Sequence, residues 1–136
     1  MASSIPLGWI AVFNWRVVGQ KIILRMNKAY IFLAVAILSE VVATSFLKAS
    51  HGFTRLWPSA VTVLGYGISF YFLSLTLASI PTGIAYAIWS GVGVVLTSIV
   101  GWIVFKQSLD GPAFIGMGLI IAGVIVINSF SKTASH

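Results

Sequence analysis

The sequence predicts an all-α membrane protein with four transmembrane helices. Three observations carry this expectation. The 136-residue chain is 59% hydrophobic and only 7% charged, where a soluble domain carries about 25% charged residues. Four apolar segments reach the roughly 20 residues needed to cross the hydrocarbon of a bilayer. The breakers and most of the charges collect in short connections between those segments. Each span is read as a helix because lipid offers no hydrogen-bond partner to an open backbone. The length fits one domain.

Residues 1–28 read as a basic N-terminal extension. Its apolar stretch is interrupted by Asn14, Arg16, Gln20 and Lys21, which argues against a fifth span. No basic segment precedes the stretch and no small-residue cleavage site follows it, so it does not read as a signal peptide. Trp9, Phe13 and Val17 recur at helical spacing, as in a basic amphipathic surface helix. The alternative is an extension outside the native chain, with Met26 as the start. The membrane domain then covers residues 29–131. Its spans are residues 29–47, 58–80, 83–105 and 112–130. Ile80-Pro81-Thr82-Gly83 reads as a tight turn. Asp110 before Gly111-Pro112 reads as the N-cap of the last helix.

Composition excludes several functions. With no cysteine in the chain there is no disulfide framework or thiolate zinc site, and no metal or cofactor is expected. No nucleophile–base pair or phosphate loop is present, so an enzyme is not expected. The formal charge of +6 reads as topology and lipid contact rather than nucleic-acid binding, given the hydropathy.

The loop charges bear on orientation. From Met26 onward, Lys28 and Lys132 fall on the side of the termini, and Lys48, Arg55 and Lys106 on the other. Two against three is almost no bias under the positive-inside rule. Adding Arg16, Lys21 and Arg25 makes it five against three. The core is expected to insert in both orientations, and the extension to bias it.

Glu40 is the residue on which function turns. It lies mid-way along residues 30–47, an otherwise uncharged run. A charged side chain there costs roughly 2.5–3.5 kcal/mol on insertion scales, and such residues mark proton or ion sites. A permanently protonated side chain tying helices together is the structural alternative. Leu33, Ala36, Ile37, Ala43, Thr44 and Leu47 share its helix face. The small Ala36 and Ala43 are expected to leave room beside the carboxylate, and Thr44 to hydrogen-bond it. Tyr66 with Ser69 and Phe70, and Tyr86 with Trp89, recur at helical spacing. Aromatic faces beside a carboxylate suit a lipophilic cation, although tyrosine and tryptophan also form interfacial belts. Gly91 and Gly93 read equally as a hinge or as close packing. Gly116 and Gly123, seven apart on the fourth helix, suit a close helix contact. Four short helices hardly enclose a substrate path alone, so an oligomer is expected.

Three stretches carry a resemblance: Gly52-Phe53-Thr54-Arg55-Leu56-Trp57-Pro58-Ser59, the run from Ile80-Pro81-Thr82-Gly83 through Tyr86-Ala87-Ile88-Trp89-Ser90-Gly91-Val92-Gly93, and the Glu40 helix. From Met26 onward the chain resembles the multidrug-exporting branch of the small multidrug resistance family. The resemblance implies an antiparallel, dual-topology homodimer in the bacterial inner membrane. It implies proton-coupled export of quaternary ammonium and aromatic cations, with Glu40 of each protomer taking substrate and protons in turn. Tyr66, Tyr86 and Trp89 match binding-site aromatics, Gly91 and Gly93 the third-helix kink, and Gly116 and Gly123 the dimer helix. Tyr71 and Ala43 depart from the usual Trp and Gly. Guanidinium exporters of the same family typically carry Trp three residues after the glutamate and lack the tyrosine found here at 66. A non-transporting partner subunit is the rival from outside transport. A C-terminal tag should appear on both sides of the membrane for a chain starting at Met26, and mainly on one side for the full chain; accessibility labelling checks this.

Overall fold

The computed structural model describes the backbone of residues 7–132 and the side chains of residues 16–132. Four helices follow one another: α1 (Leu7–Ala49), α2 (Leu56–Leu77), α3 (Thr82–Ile103) and α4 (Gly111–Phe130). All four are long and apolar enough to cross a membrane. No strand occurs among the described residues. The protein is a multi-pass, all-α membrane protein.

Helix α1 runs 43 residues without interruption, about 64 Å at 1.5 Å per residue. That is twice the hydrocarbon thickness of about 30 Å. The polar residues of the extension do not end the helix, because its backbone bonds are internal and no proline falls between Leu7 and Ala49. Residues 16–28 are exposed almost throughout, and burial begins at Ala29.

The core forms where α1 meets α2 and α3. Leu33, Ala36, Ile37 and Val41 of α1 pack with Leu73 of α2 and Ile88 of α3. The α1–α2 seam is built from small and hydroxyl-bearing residues rather than large apolar ones. Thr62, Ser69 and Thr76 of α2 are buried at seven-residue spacing. The Ser69 hydroxyl donates to the Ala36 carbonyl at 2.7 Å, and the Thr76 hydroxyl lies 3.3 Å from the Ala29 carbonyl. In lipid, close backbone approach and interhelical hydrogen bonds supply association that apolar bulk cannot. The closest approach is at Gly65: a Cβ there would lie 2.8 Å from the Ala43 Cβ and 3.2 Å from the Ser39 carbonyl oxygen.

The connections are tight. Between α1 and α2, His51, Gly52 and Phe53 all adopt positive φ (49°, 70° and 63°). The buried Ser50 holds this reversal: its hydroxyl donates to the Leu47 carbonyl at 2.7 Å and accepts from the Phe53 amide at 3.1 Å. Asp110 caps α4 as its sequence context predicts, accepting from the Ala113 amide at 3.0 Å. Helix α4 buries no residue and packs chiefly on α3. A 3.4 Å hydrogen bond from the Tyr30 hydroxyl to Asn128 ties it to α1.

The Ala43–Gly65 contact yields a double-mutant test. Gly65→Ala forces two rigid groups apart and should destabilise by about 1–3 kcal/mol, the range for overpacking. Ala43→Gly in the same chain should recover most of that loss, read as thermal unfolding in detergent.

Candidate functional site

Glu40 stands on the flank of α1 that turns toward α3. Its carboxylate borders a cleft of about 430 Å³, within the size range of small-molecule sites. From α1 the cleft takes Glu40 and Thr44. From α3 it takes Trp89, Ser90, Gly93, Val94, Thr97 and Ser98, and Gln107 closes one end. Gly93 faces the acid: a Cβ there would lie 3.5 Å from Glu40 Oε2, an ordinary contact that an alanine could make, whereas a bulky side chain would enter the space of the carboxylate.

No basic side chain reaches Glu40 among the described residues, and Trp89 lines the cleft with it. The indole Nε1–H of Trp89 is buried and closes no hydrogen bond. The next cation along α1, Lys48, lies about two turns away and sits over the Phe105 ring, its Nζ 4.5 Å from the ring centre. The other acid, Asp110, is occupied as a helix cap.

An aromatic train runs beside the acid. Tyr66 stacks on Phe70 at 6.4 Å, Phe70 meets the edge of Trp89 at 6.0 Å, and Trp89 meets Tyr86 at 5.3 Å. Four rings from α2 and α3 thus form one connected wall, and Trp89 alone of them also lines the cleft. Tyr66 reaches α1 through its hydroxyl, which shares a 3.0 Å hydrogen bond with Thr44. The expected partner of Thr44 was Glu40. The threonine turns to α2 because the tyrosine hydroxyl occupies that flank.

The remaining residues singled out from the sequence divide by helix face. Leu33, Ala36 and Ile37 belong to the packed core. Ala43 packs against Gly65, Leu47 is half-buried near the turn, and Ser69 serves the α1–α2 seam. None of these six lines the cleft. The small Ala36 and Ala43 admit α2. Gly91 seats α4: a Cβ there would meet Val124 Cγ2 at 2.7 Å and Ile120 Cγ2 at 3.0 Å. Helix α3 continues unbroken through Gly91 and Gly93. Gly116 and Gly123 have no atom within 4 Å of a Cβ position, so that face of α4 is open.

Val94, Thr97, Ser98 and Gln107 are cleft residues that sequence reading missed. A signal existed: Ser90, Val94 and Ser98 recur every fourth residue, as do Gly93 and Thr97, so one stripe of α3 is unusually polar. Gln107 had none. It folds back because Lys106 takes φ 53°, its amide donates to the Gly101 carbonyl at 3.0 Å, and Gly101 lacks the side chain that would collide with it.

Comparison with known proteins places this geometry. The profile described as Small Multidrug Resistance protein matches residues 28–120. The chain belongs to the small multidrug resistance family. Family members similar to it include quaternary ammonium compound-resistance protein QacF of Klebsiella aerogenes, 62% identical over 80% of this chain and 99% of its own length. Another is QacE of Escherichia coli, 57% identical over 80% of this chain and 99% of that protein. Multidrug transporter EmrE of Escherichia coli K12 is 59% identical over 79% of this chain and 97% of its own. Glu40 with α1 from Lys28 onward, the aromatic train and α4 up to Ile120 fall within the family match.

The role of Gly93 is testable through the acid it accommodates. A lipophilic carbodiimide should modify Glu40 at nearly the native rate in Gly93→Ala and several-fold more slowly in Gly93→Phe, read by mass spectrometry of the intact chain.

Proposed function

We propose that this protein exports lipophilic, quaternary ammonium and aromatic cations in exchange for protons, with both competing for Glu40. The observation that carries the reading is an acid without a fixed counter-charge, bordering a cleft of about 430 Å³ and flanked by four connected aromatic rings. A carboxylate supplies the ionic half of cation binding, and ring faces supply the desolvated cation–π half. One carboxylate cannot neutralise a proton and a cation together, so each displaces the other. The printed names of the relatives, quaternary ammonium resistance proteins and a multidrug transporter, support the same substrate class. The relatives are bacterial, and the inner membrane is the compartment proposed here.

The working unit is proposed to be an antiparallel homodimer. The cleft of one protomer is open, and the bare Gly116 and Gly123 face of α4 leaves space for another helix backbone. Access to alternate sides is assigned to bending of α3 near Gly91 and Gly93. Trp89 is proposed to present the aromatic wall to the cleft beside the carboxylate, and Tyr66, held by Thr44, to form the far end of that wall.

Tetraphenylphosphonium binding to the purified protein tests the exchange. The ionised carboxylate binds the cation and the protonated one does not. Affinity should therefore fall as pH drops, by up to about tenfold per pH unit for each proton displaced. Glu40→Gln should abolish binding at every pH. Affinity independent of pH in the native protein would overturn the exchange. Robust guanidinium transport without tetraphenylphosphonium transport would reassign the substrate.

A further inference from the structure

The extension of α1 carries a feature that the family match does not account for. Lys21, Arg25 and Lys28 are spaced by four and three residues, so they share one side of the helix. Together with Leu24 they line a groove of about 260 Å³. All three are exposed, and only Lys28 falls inside the stretch matched by the family. No acidic residue precedes Glu40 in the chain, and Asp110 is engaged as a helix cap. The groove thus collects three positive side chains with no acidic residue within eleven positions on its own helix.

Its depth is set by the helix. Lys28 immediately precedes Ala29, where the charge-free run begins. At about 1.5 Å per residue, Arg25 lies roughly 4–5 Å farther out and Lys21 roughly 10 Å. The headgroup layer on each side of a bilayer is roughly 5–8 Å thick. Lys28 and Arg25 fall within it, and Lys21 is at its outer edge, within reach of a flexible side chain. Exposed apolar residues share this stretch of α1, among them Val17, Val18, Ile22 and Leu24, the last within the groove itself. Such residues between basic ones suit the boundary of headgroups and acyl chains better than bulk water.

We propose that the Lys21–Arg25–Lys28 groove is a binding site for the headgroup of an anionic phospholipid. The phosphate oxygens accept from the guanidinium and ammonium donors, and the acyl chains lie along the apolar flanks of α1. The site holds lipid beside the transporter and is separate from the Glu40 cleft.

The test uses the full chain in micelles containing equal phosphatidylglycerol and phosphatidylcholine, with bound lipid read by native mass spectrometry. The native protein should retain phosphatidylglycerol over phosphatidylcholine by roughly tenfold or more, as expected for several basic groups at an anionic surface. K21Q/R25Q/K28Q should lose that preference, and the charge-preserving K21R/R25K/K28R should keep it. Equal retention of the two lipids by the native protein would overturn the proposal, as would an undiminished preference in the glutamine variant. Retention of inorganic phosphate in place of lipid would also overturn it. Tetraphenylphosphonium binding is measured in parallel and reports on the Glu40 cleft alone.

Discussion

The rest of this structure is arranged around a carboxyl group that has no partner of opposite charge. Glu40 lies in the apolar part of α1, and no basic side chain reaches it among the described residues. A fixed ion pair would have made the acid a structural element. Without one, the carboxyl group is left to the cleft it borders, where Trp89, the bare backbone at Gly93 and the hydroxyls of Ser90, Thr97 and Ser98 share the lining. Lys48, about two turns farther along α1, sits over the Phe105 ring.

Such an arrangement requires a firm frame, and the α1–α2 seam provides it. Hydroxyls at Ser69 and Thr76 bond to carbonyls of the neighbouring helix, and Ala43 closes on Gly65. These contacts hold one side of α1 so that the adjacent flank, which carries Glu40, can stay open to α3. The division of labour explains why residues one turn from Glu40 differ in duty. Ala36 and Ala43 serve the frame, and Thr44 joins the frame to the aromatic wall through Tyr66.

Much of this was legible in the sequence. A single charge in a long apolar run identifies Glu40, because hydropathy in membrane segments is nearly uniform. Asp110 before Gly111-Pro112 announces the start of α4 by cap chemistry. Tyr66, Phe70, Tyr86 and Trp89 declare themselves by spacing, and the structure joins them into one wall. Helical periodicity tells which residues share a face, but not which neighbour covers it. For that reason Leu33, Ala36, Ile37 and Ala43 were read as lining a site when α2 and α3 bury them. The reversal at Lys106 that brings Gln107 into the cleft uses a non-glycine residue at positive φ, which leaves no mark in composition. The polar interruptions of the extension argue against a fifth span, and α1 passes through them as one continuous helix.

Gly91 joins two parts of the molecule that differ in what they face. It lies between Trp89 and Gly93, which border the cleft, and it receives Val124 and Ile120 of α4. Helix α3 is therefore pressed between the cleft on one flank and α4 on the other. A change of side-chain size at Val124 or Ile120 bears on α3 at the level of the cleft without adding any group to its lining. Variation on α4 can thus reshape the cleft from behind, by shifting the helix that carries its wall rather than the residues that form it.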